Sequence, residues 1–283
     1  SECRKHKSPQ GKKDDLFHVI HKVPYGDTPY VRAKHAQLVE KDAEGAIELF
    51  KEAIKAGDKV GSALKDMAVV MKQLDRAEEA IEAIKSFRSL CSQQSQHSLD
   101  NLLIDLYKKC GRTDEQIELL KRKLRSIYQG EAFQGKPTRT ARSHGKKFQV
   151  SVKQETARLL GNLGWAYMQK GNYMMAEVVF KKAQMIEPDA NKACNLGHCL
   201  IMQSRHEEAR WVLHQVIFAS HDDKSRKRAQ ELMTRLKSTM SPSESDDAFV
   251  QGMDHLLPLS LWGSNGSSRR LPIFEQITPL TSS

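Results

Sequence analysis

Apolar and small residues recur along this 283-residue chain at helical spacing, and the whole arrangement returns at a nearly constant interval. Ala176, Phe180 and Ala183 lie four and three residues apart, so they share one face of a helix. Upstream, Leu163-Gly164 and Tyr167 mark a preceding helix, and Pro188 ends the pair. Displaced by 33 residues, Leu163-Gly164 returns as Leu196-Gly197 and Ala176/Phe180 as Ala209/Leu213. Nearer the N-terminus, Ala46, Phe50 and Ala53 return after 34 residues as Ala80, Ile84 and Phe87. Leu103, Tyr107, Gly111 and Leu120 mark a further unit in between, with Gln116 where an alanine is expected. The frame is 27–60, 61–94, 97–130, 157–190 and 190–223. A capping helix over 222–237 completes it, with Asp222 and Asp223 suited to its positive N-terminal end and Arg235 and Lys237 to its negative C-terminal end.

Leu163-Gly164, Tyr167, Ala176, Phe180 and Pro188 match the L-G-x2-Y, A-x3-F, P pattern of a tetratricopeptide repeat. The predicted fold is all-α, a right-handed solenoid of helical hairpins with about five repeats over residues 23–237. Segments 1–22 and 238–283 are expected to be disordered. Such a fold binds rather than catalyses, and a ligand lies along the first helices of the pairs. Inward positions include Arg32, His35, Lys72 and Asp105. The candidate peptide groove is formed by Lys65, Asn101, Lys108, Arg158, Asn162, Trp165, Asn195 and His198. Asn162 and Asn195 are equivalent in adjacent repeats, and an amide that both donates and accepts could hold an extended peptide backbone. The alternative is that each amide bonds within its own repeat or to solvent. Arg158, Asn162 and Asn195 resemble part of the carboxylate clamp that some tetratricopeptide proteins use, but the full set is absent and no clamp is predicted.

Composition sharpens this picture. With 39% apolar and 6% aromatic residues the chain can bury a core, yet it lacks the alternation of a sheet protein. Its 45 Lys+Arg exceed 35 Asp+Glu by ten, and part of that excess is concentrated between the third and fourth repeats. From 136 to 153 the chain carries Lys136, Arg139, Arg142, Lys146, Lys147 and Lys153 with no acidic residue. Gly135, Pro137 and Gly145 argue for a basic loop over 131–156 that either is a solvated linker or attracts an acidic partner. Direct nucleic-acid binding is disfavoured, since only Phe148 offers a stacking surface within the run.

Cysteines 3, 91, 110, 194 and 199 form no C-x2-C pair and no even framework, so reduced thiols in an intracellular, soluble protein are expected. Cys194 and Cys199 are expected to pack as small apolar groups. No stretch approaches the roughly 18 apolar residues of a membrane span. The chain begins at Ser1, which leaves an upstream targeting element open. Phosphate-loop, dinucleotide, nucleophile-elbow and zinc-protease motifs are all missing, and His18 and His21 have no third ligand nearby, so no enzyme activity, cofactor or metal is expected. Beyond residue 238 two apolar islands stand out, 249–261 and 271–277. In the second, Leu271, Ile273 and Phe274 come after Arg269 and Arg270 and form a candidate docking motif over 270–277.

Longer strings add a family. Val23 to Leu38 (VPYGDTPYVRAKHAQL), Ser62 to Gln73 (SALKDMAVVMKQ) and Thr140 to Phe148 (TARSHGKKF) resemble the plant male-sterility (pollenless) and sulfur-deficiency-induced tetratricopeptide proteins over nearly the whole chain. Ala248-Phe249-Val250 and Arg270 to Ile277 (RLPIFEQI) are similar to the sulfur-deficiency-induced branch. Gln134 and Arg205 fall at positions where variation is expected. The resemblance implies a nuclear regulator, with the cytoplasm as a second location, that binds transcription factors and represses glucosinolate and related sulfur metabolism. The alternative it implies is a meiotic cell-cycle adaptor needed for male fertility.

Overall fold

The structure is a computed structural model that describes residues 24–143 and 146–239. The N-terminal segment 1–22, the docking motif 270–277 and the rest of the tail from 240 onward therefore lie outside the described residues, as do Cys3, His18 and His21. The chain divides into two compact units, one ending at Arg112 and the other starting at Thr113.

The first unit holds α1 (Pro29–His35), α2 (Ala43–Lys55), α3 (Val60–Gln73), α4 (Ala77–Phe87) and α5 (Gln93–Lys109). Each start has a local cause. Pro29 sits in the first turn of α1, where its missing N–H costs nothing, and Thr28 caps it. The Asp42 carboxylate accepts from the Gly45 N–H at 2.9 Å at the head of α2, and Ser92 caps α5. A π-helical turn, Ala36–Glu40, extends α1 and carries the chain to Lys41 with φ 58°. Ala46, Ile47, Phe50 and Ala53 of α2 and Leu64, Met67 and Ala68 of α3 are wholly or almost wholly buried, as the repeat spacing requires.

The second unit holds α6 (Thr113–Tyr128), β1 (Thr138–Ser143), β2 (Lys146–Ser151), α7 (Val152–Gln169), α8 (Tyr173–Ile186), α9 (Ala190–Met202), α10 (His206–Ala219) and α11 (Asp223–Thr239). Ser151 and Gln154 form a reciprocal capping box on α7, Asn172 caps α8 and Asp189 caps α9. Gly164 and Gly197 are where the paired helices come closest. A Cβ on Gly164 would sit 2.8 Å from the Phe180 ring, and one on Gly197 would sit 2.7 Å from the Leu213 side chain. Phe180 and Leu213 are fully buried in the space thus opened. On the other side of α9 and α10, α11 places Ala229, Leu232, Met233 and Leu236 against Cys194, Leu213 and Val216, closing an apolar edge that a sixth repeat would otherwise cover.

The residues expected to form a basic loop are a correction. Part of 131–156 is a short 3-10 turn, Glu131–Phe133, joined to an antiparallel hairpin in which Thr138 pairs with Ser151, Thr140 with Gln149 and Ala141 with Phe148. Gln149 donates to the Thr140 hydroxyl across the strands at 3.0 Å. Thr138, Thr140, Phe148 and Val150 are residues that fit a pleated surface, and the two strands are separated by two residues that include Gly145. The Pro137 carbonyl accepts from the Val152 N–H at 3.0 Å, so the hairpin closes where α7 begins.

The close approach at Gly164 distinguishes two neighbouring glycines of α7. Gly164→Ala should lower unfolding free energy by about 1–3 kcal/mol through overpacking against a buried ring. Gly161→Ala should be neutral or stabilising by up to about 1 kcal/mol, because its Cβ meets only the flexible Lys192 chain at 3.4 Å and alanine favours the helix. Urea titrations of both variants read the difference; equal midpoints would contradict the packing assigned to Gly164.

Candidate functional site

In the first unit the exposed edge of the first helices is a ladder of polar pairs. The Tyr30 hydroxyl donates to Asp66 at 3.0 Å and Lys34 lies 3.3 Å from the same carboxylate. Burial and then the Asp66 charge raise the Tyr30 pKa, so the phenol stays protonated and keeps donating. Lys72 of α3 lies 3.9 Å from Asp105 of α5. Lys65 and Lys108 are exposed and Asn101 is half-buried on the same helices. Arg32 reaches toward Asp27 at 3.9 Å, and His35 is within 2.9 Å of Glu40 across the π turn.

In the second unit Arg158, Asn162 and Trp165 are spaced four and three residues apart on α7 and so share one stripe. Arg158 is exposed, and Asn162 and Trp165 are half-buried. Asn195 does not keep the open amide expected of it. It is buried, and its Oδ1 accepts from Arg228 of α11 at 2.7 Å while the same guanidinium reaches Asn191 at 2.8 Å. The reason is that α11 lies beside α9 as a further first helix, and Arg228 is Asn195 displaced by one repeat. Next to it, His198 packs edge-on to Tyr173 at 6.1 Å. Burial, together with the charges of Arg228 and Arg235, lowers the His198 pKa and leaves the imidazole neutral at neutral pH.

The hairpin is tied to α7 by one buried carboxylate. Glu155, 6% exposed at its side chain, accepts from Arg139 of β1 at 3.0 Å and from two nitrogens of Arg158 at 2.9 and 3.0 Å. Burial acts to raise the Glu155 pKa, but the Arg158 hydrogen bonds and the charges of Arg158, Arg139 and Lys123 outweigh it and hold the group below the usual carboxylate range. Arg139 also lies over the Phe133 ring at 5.2 Å. Three cations therefore surround one anion, which leaves this corner net positive. Lys136 and Phe148 are exposed beside it. Arg142 and Lys147 are opposite one another in the strand register and Lys146 starts β2.

Among the described residues no group of three or more His, Cys, Asp or Glu is placed to hold a metal, and no helix is long and apolar enough to cross a membrane. Burial pushes the Cys199 thiol up to about 12, with the Glu177 charge adding to it, and burial likewise raises Cys91, Cys110 and Cys194. These thiols stay protonated and poorly nucleophilic. The geometry offers instead cationic and amide side chains in stripes along helices, which suits capture of another chain.

Comparison with known proteins agrees. The tetratricopeptide repeat profile matches residues 157–190. Over 282 residues the chain is 62% identical to protein SULFUR DEFICIENCY-INDUCED 1 of Arabidopsis thaliana, covering 94% of this chain and 90% of that protein. The chain belongs to the sulfur-deficiency-induced and pollenless family of tetratricopeptide repeat proteins. It is also 59% identical to protein SULFUR DEFICIENCY-INDUCED 2 of the same plant, over 93% of this chain and 92% of that one. Protein POLLENLESS 3-LIKE 2, again from Arabidopsis thaliana, is 55% identical over 93% of this chain but only 63% of its own length. This family member thus aligns nearly end to end with the sulfur-deficiency-induced proteins.

Arg205 is a residue whose role the repeat pattern misses. Placed just ahead of α10, it donates to both oxygens of the buried Glu177 at 2.7 Å and to Glu208 at 2.6 Å. It links α8 to the turn that starts α10. A sequence signal exists, because Arg205 precedes Glu208 by three residues as Arg76 precedes Glu79. Gln134 likewise has a structural role, adopting φ 51° at the end of the turn before the hairpin.

Glu155→Gln should destabilise this protein by about 1–3 kcal/mol at neutral pH, since it removes the anion between two guanidinium groups. A carboxylate whose folded pKa is depressed contributes stability above its unfolded value near ~4.3, and that contribution is lost as pH falls through the folded value. The difference between wild type and Glu155→Gln in thermal unfolding should therefore shrink below about pH 4. A difference that is constant from pH 7 to pH 3 would show that the ion pairs do not carry it.

Proposed function

We propose that the chain is a non-enzymatic interaction scaffold, and that its first-helix face in the second unit, together with the basic hairpin, captures an acidic, partly apolar segment of a transcription factor. The observation that carries the reading is the stripe Arg158, Asn162 and Trp165 beside a hairpin corner where three cations surround one buried carboxylate. A cation gives steering, the amide can pair with a peptide backbone, and the indole supplies apolar area at small conformational cost. Asn195 does not belong to this contact set, since Arg228 occupies it. Lys65, Asn101 and Lys108 form a second set of the same chemistry on the first unit.

The setting comes from the relatives. Two proteins whose names record induction by sulfur deficiency are 62% and 59% identical over almost the full chain. We further propose that the scaffold acts in the nucleus, in the plant response to sulfur shortage, and lowers synthesis of sulfur-rich metabolites such as glucosinolates. A meiotic adaptor role is the second reading, favoured by the 55% identity to a pollenless-type protein.

Capture from nuclei of sulfur-starved plants with wild-type chain and with Arg158→Ala/Asn162→Ala reads the difference. A transcription factor recovered by the wild type and reduced at least about tenfold by the variant, with unchanged helical content, is the expected result. Recovery of cell-division components in its place would favour the meiotic role. Equal recovery by both baits would remove the first-helix face of the second unit as the binding surface.

A further inference from the structure

The outward faces of α8 and α10 carry an apolar strip that the repeat frame does not use. Met174, Val178 and Met185 are 72%, 43% and 66% exposed on α8. One repeat on, α10 carries Trp211 at the position equivalent to Val178 and Phe218, 81% exposed, at the position equivalent to Met185. His214 stacks on Phe218 with ring centroids 5.6 Å apart and planes 11° from parallel. Side chains this large are rarely left together in water without a partner. Basic residues occur near the strip: Lys182 lies between Val178 and Met185 on α8, and α11, which packs against α10, carries Lys237 in its last turn.

The position of the chain where α11 ends identifies what covers it. α11 packs Leu232, Met233 and Leu236 in one apolar cluster with Leu213 and Val216 of α10. The polypeptide therefore leaves the described structure at Thr239, three residues beyond Leu236 and beside α10. The sequence past this point complements the strip in charge and in apolar content. From 238 to 268 there is no arginine and no lysine, while Glu244, Asp246 and Asp247 precede Phe249, Val250, Met253, Leu256 and Leu257, with Asp254 among them. Phe249 lies ten positions after Thr239, a stretch that fully extended reaches up to about 36 Å.

We propose that the acidic, apolar segment 244–257 of this chain docks in cis on the strip formed by Val178, Met185, Trp211, His214 and Phe218. Apolar side chains fill the strip and the carboxylates meet the lysines around it. The short tether keeps the segment at millimolar effective concentration, so a weak contact suffices. A second copy of the chain is the less favourable occupant, because it would bring another basic surface against this one. The segment 270–277 is also less suited, since it opens with Arg269 and Arg270. This contact is independent of the first-helix face.

Hydroxyl-radical footprinting of the full chain tests the assignment. Phe249→Ser/Leu256→Ser should raise oxidation of Met185 and Phe218 on the order of tenfold over wild type, at every protein concentration, while circular dichroism stays unchanged. Phe218→Ser, an exposed position that leaves the fold intact, should in turn raise hydrogen exchange of the 245–257 amides by a similar factor. Identical oxidation in wild type and Phe249→Ser/Leu256→Ser would overturn the proposal. So would wild-type protection that disappears on dilution, which assigns the strip to a second copy, or protection that is lost only in Leu271→Ser/Phe274→Ser, which assigns it to the other tail segment.

Discussion

The Phe180 ring rests where a side chain on Gly164 would have to be, and the second unit is organised around that exclusion. Because no Cβ intervenes, α7 and α8 approach until the ring is wholly buried, and Ala176 and Ala183 on the facing side are wholly buried with it. The same solution recurs one repeat later with Gly197 and Leu213, where an aliphatic side chain replaces the ring. A helix pair so joined still has an apolar flank that it cannot cover by itself, which is why neighbours must stack and why the last pair needs α11. The constraint is steric at its origin and hydrophobic in its consequence. A small residue at one position commits an entire neighbouring helix to one spacing.

Polar ties recur on the same period without supplying much of the stability. Arg76 reaches Glu44 and Glu79, Arg112 reaches Glu78 and Glu82, and Arg205 reaches Glu177 and Glu208. Arg76 and Arg205 each stand just before a second helix and grip an acid on the second helix of the preceding pair within their own unit. Glu44, Glu79, Glu78 and Glu208 are well exposed, and exposed pairs contribute about 0–1 kcal/mol each. Their effect is on register: an arginine with two fixed acceptors penalises a repeat that stacks out of step. Glu177 differs, because it is buried at 9% side-chain exposure and its acceptors are shared among Arg205, Lys181 and Gln203.

The periodic part of this fold was legible from residue spacing because burial at fixed helical intervals leaves few alternatives. Leu163, Gly164, Tyr167, Ala176 and Phe180 report their own environment, since small and apolar residues at those positions have no other use. Asn195 was not legible in this way. Its equivalence to Asn162 is real in the sequence, yet the partner that removes it from the surface, Arg228, is 33 residues further on and belongs to a helix read only as a cap. The hairpin was obscured for a different reason. Lys136, Gly135 and Pro137 announce an irregular segment, whereas the strands depend on Thr138, Thr140, Phe148 and Val150, a weak alternation outweighed by the helical periodicity on either side. Sequence periodicity exposes what is repeated, and the functional differences between repeats are the part it averages away.

Those differences share a chemical logic. In the second unit the buried or half-buried groups that could do chemistry are neutralised in place: Cys194 and Cys199 are held as thiols, His198 is kept uncharged, and Glu155 and Glu177 are locked to guanidinium groups. None is left poised to transfer a proton or attack a carbonyl at neutral pH. What faces outward includes Lys136, Lys153 and Arg158 around the start of α7, and large apolar side chains along α8 and α10. Charged and apolar surface act at different stages of any association, charge on encounter and exclusion of wrong partners, apolar area on the lifetime of the contact.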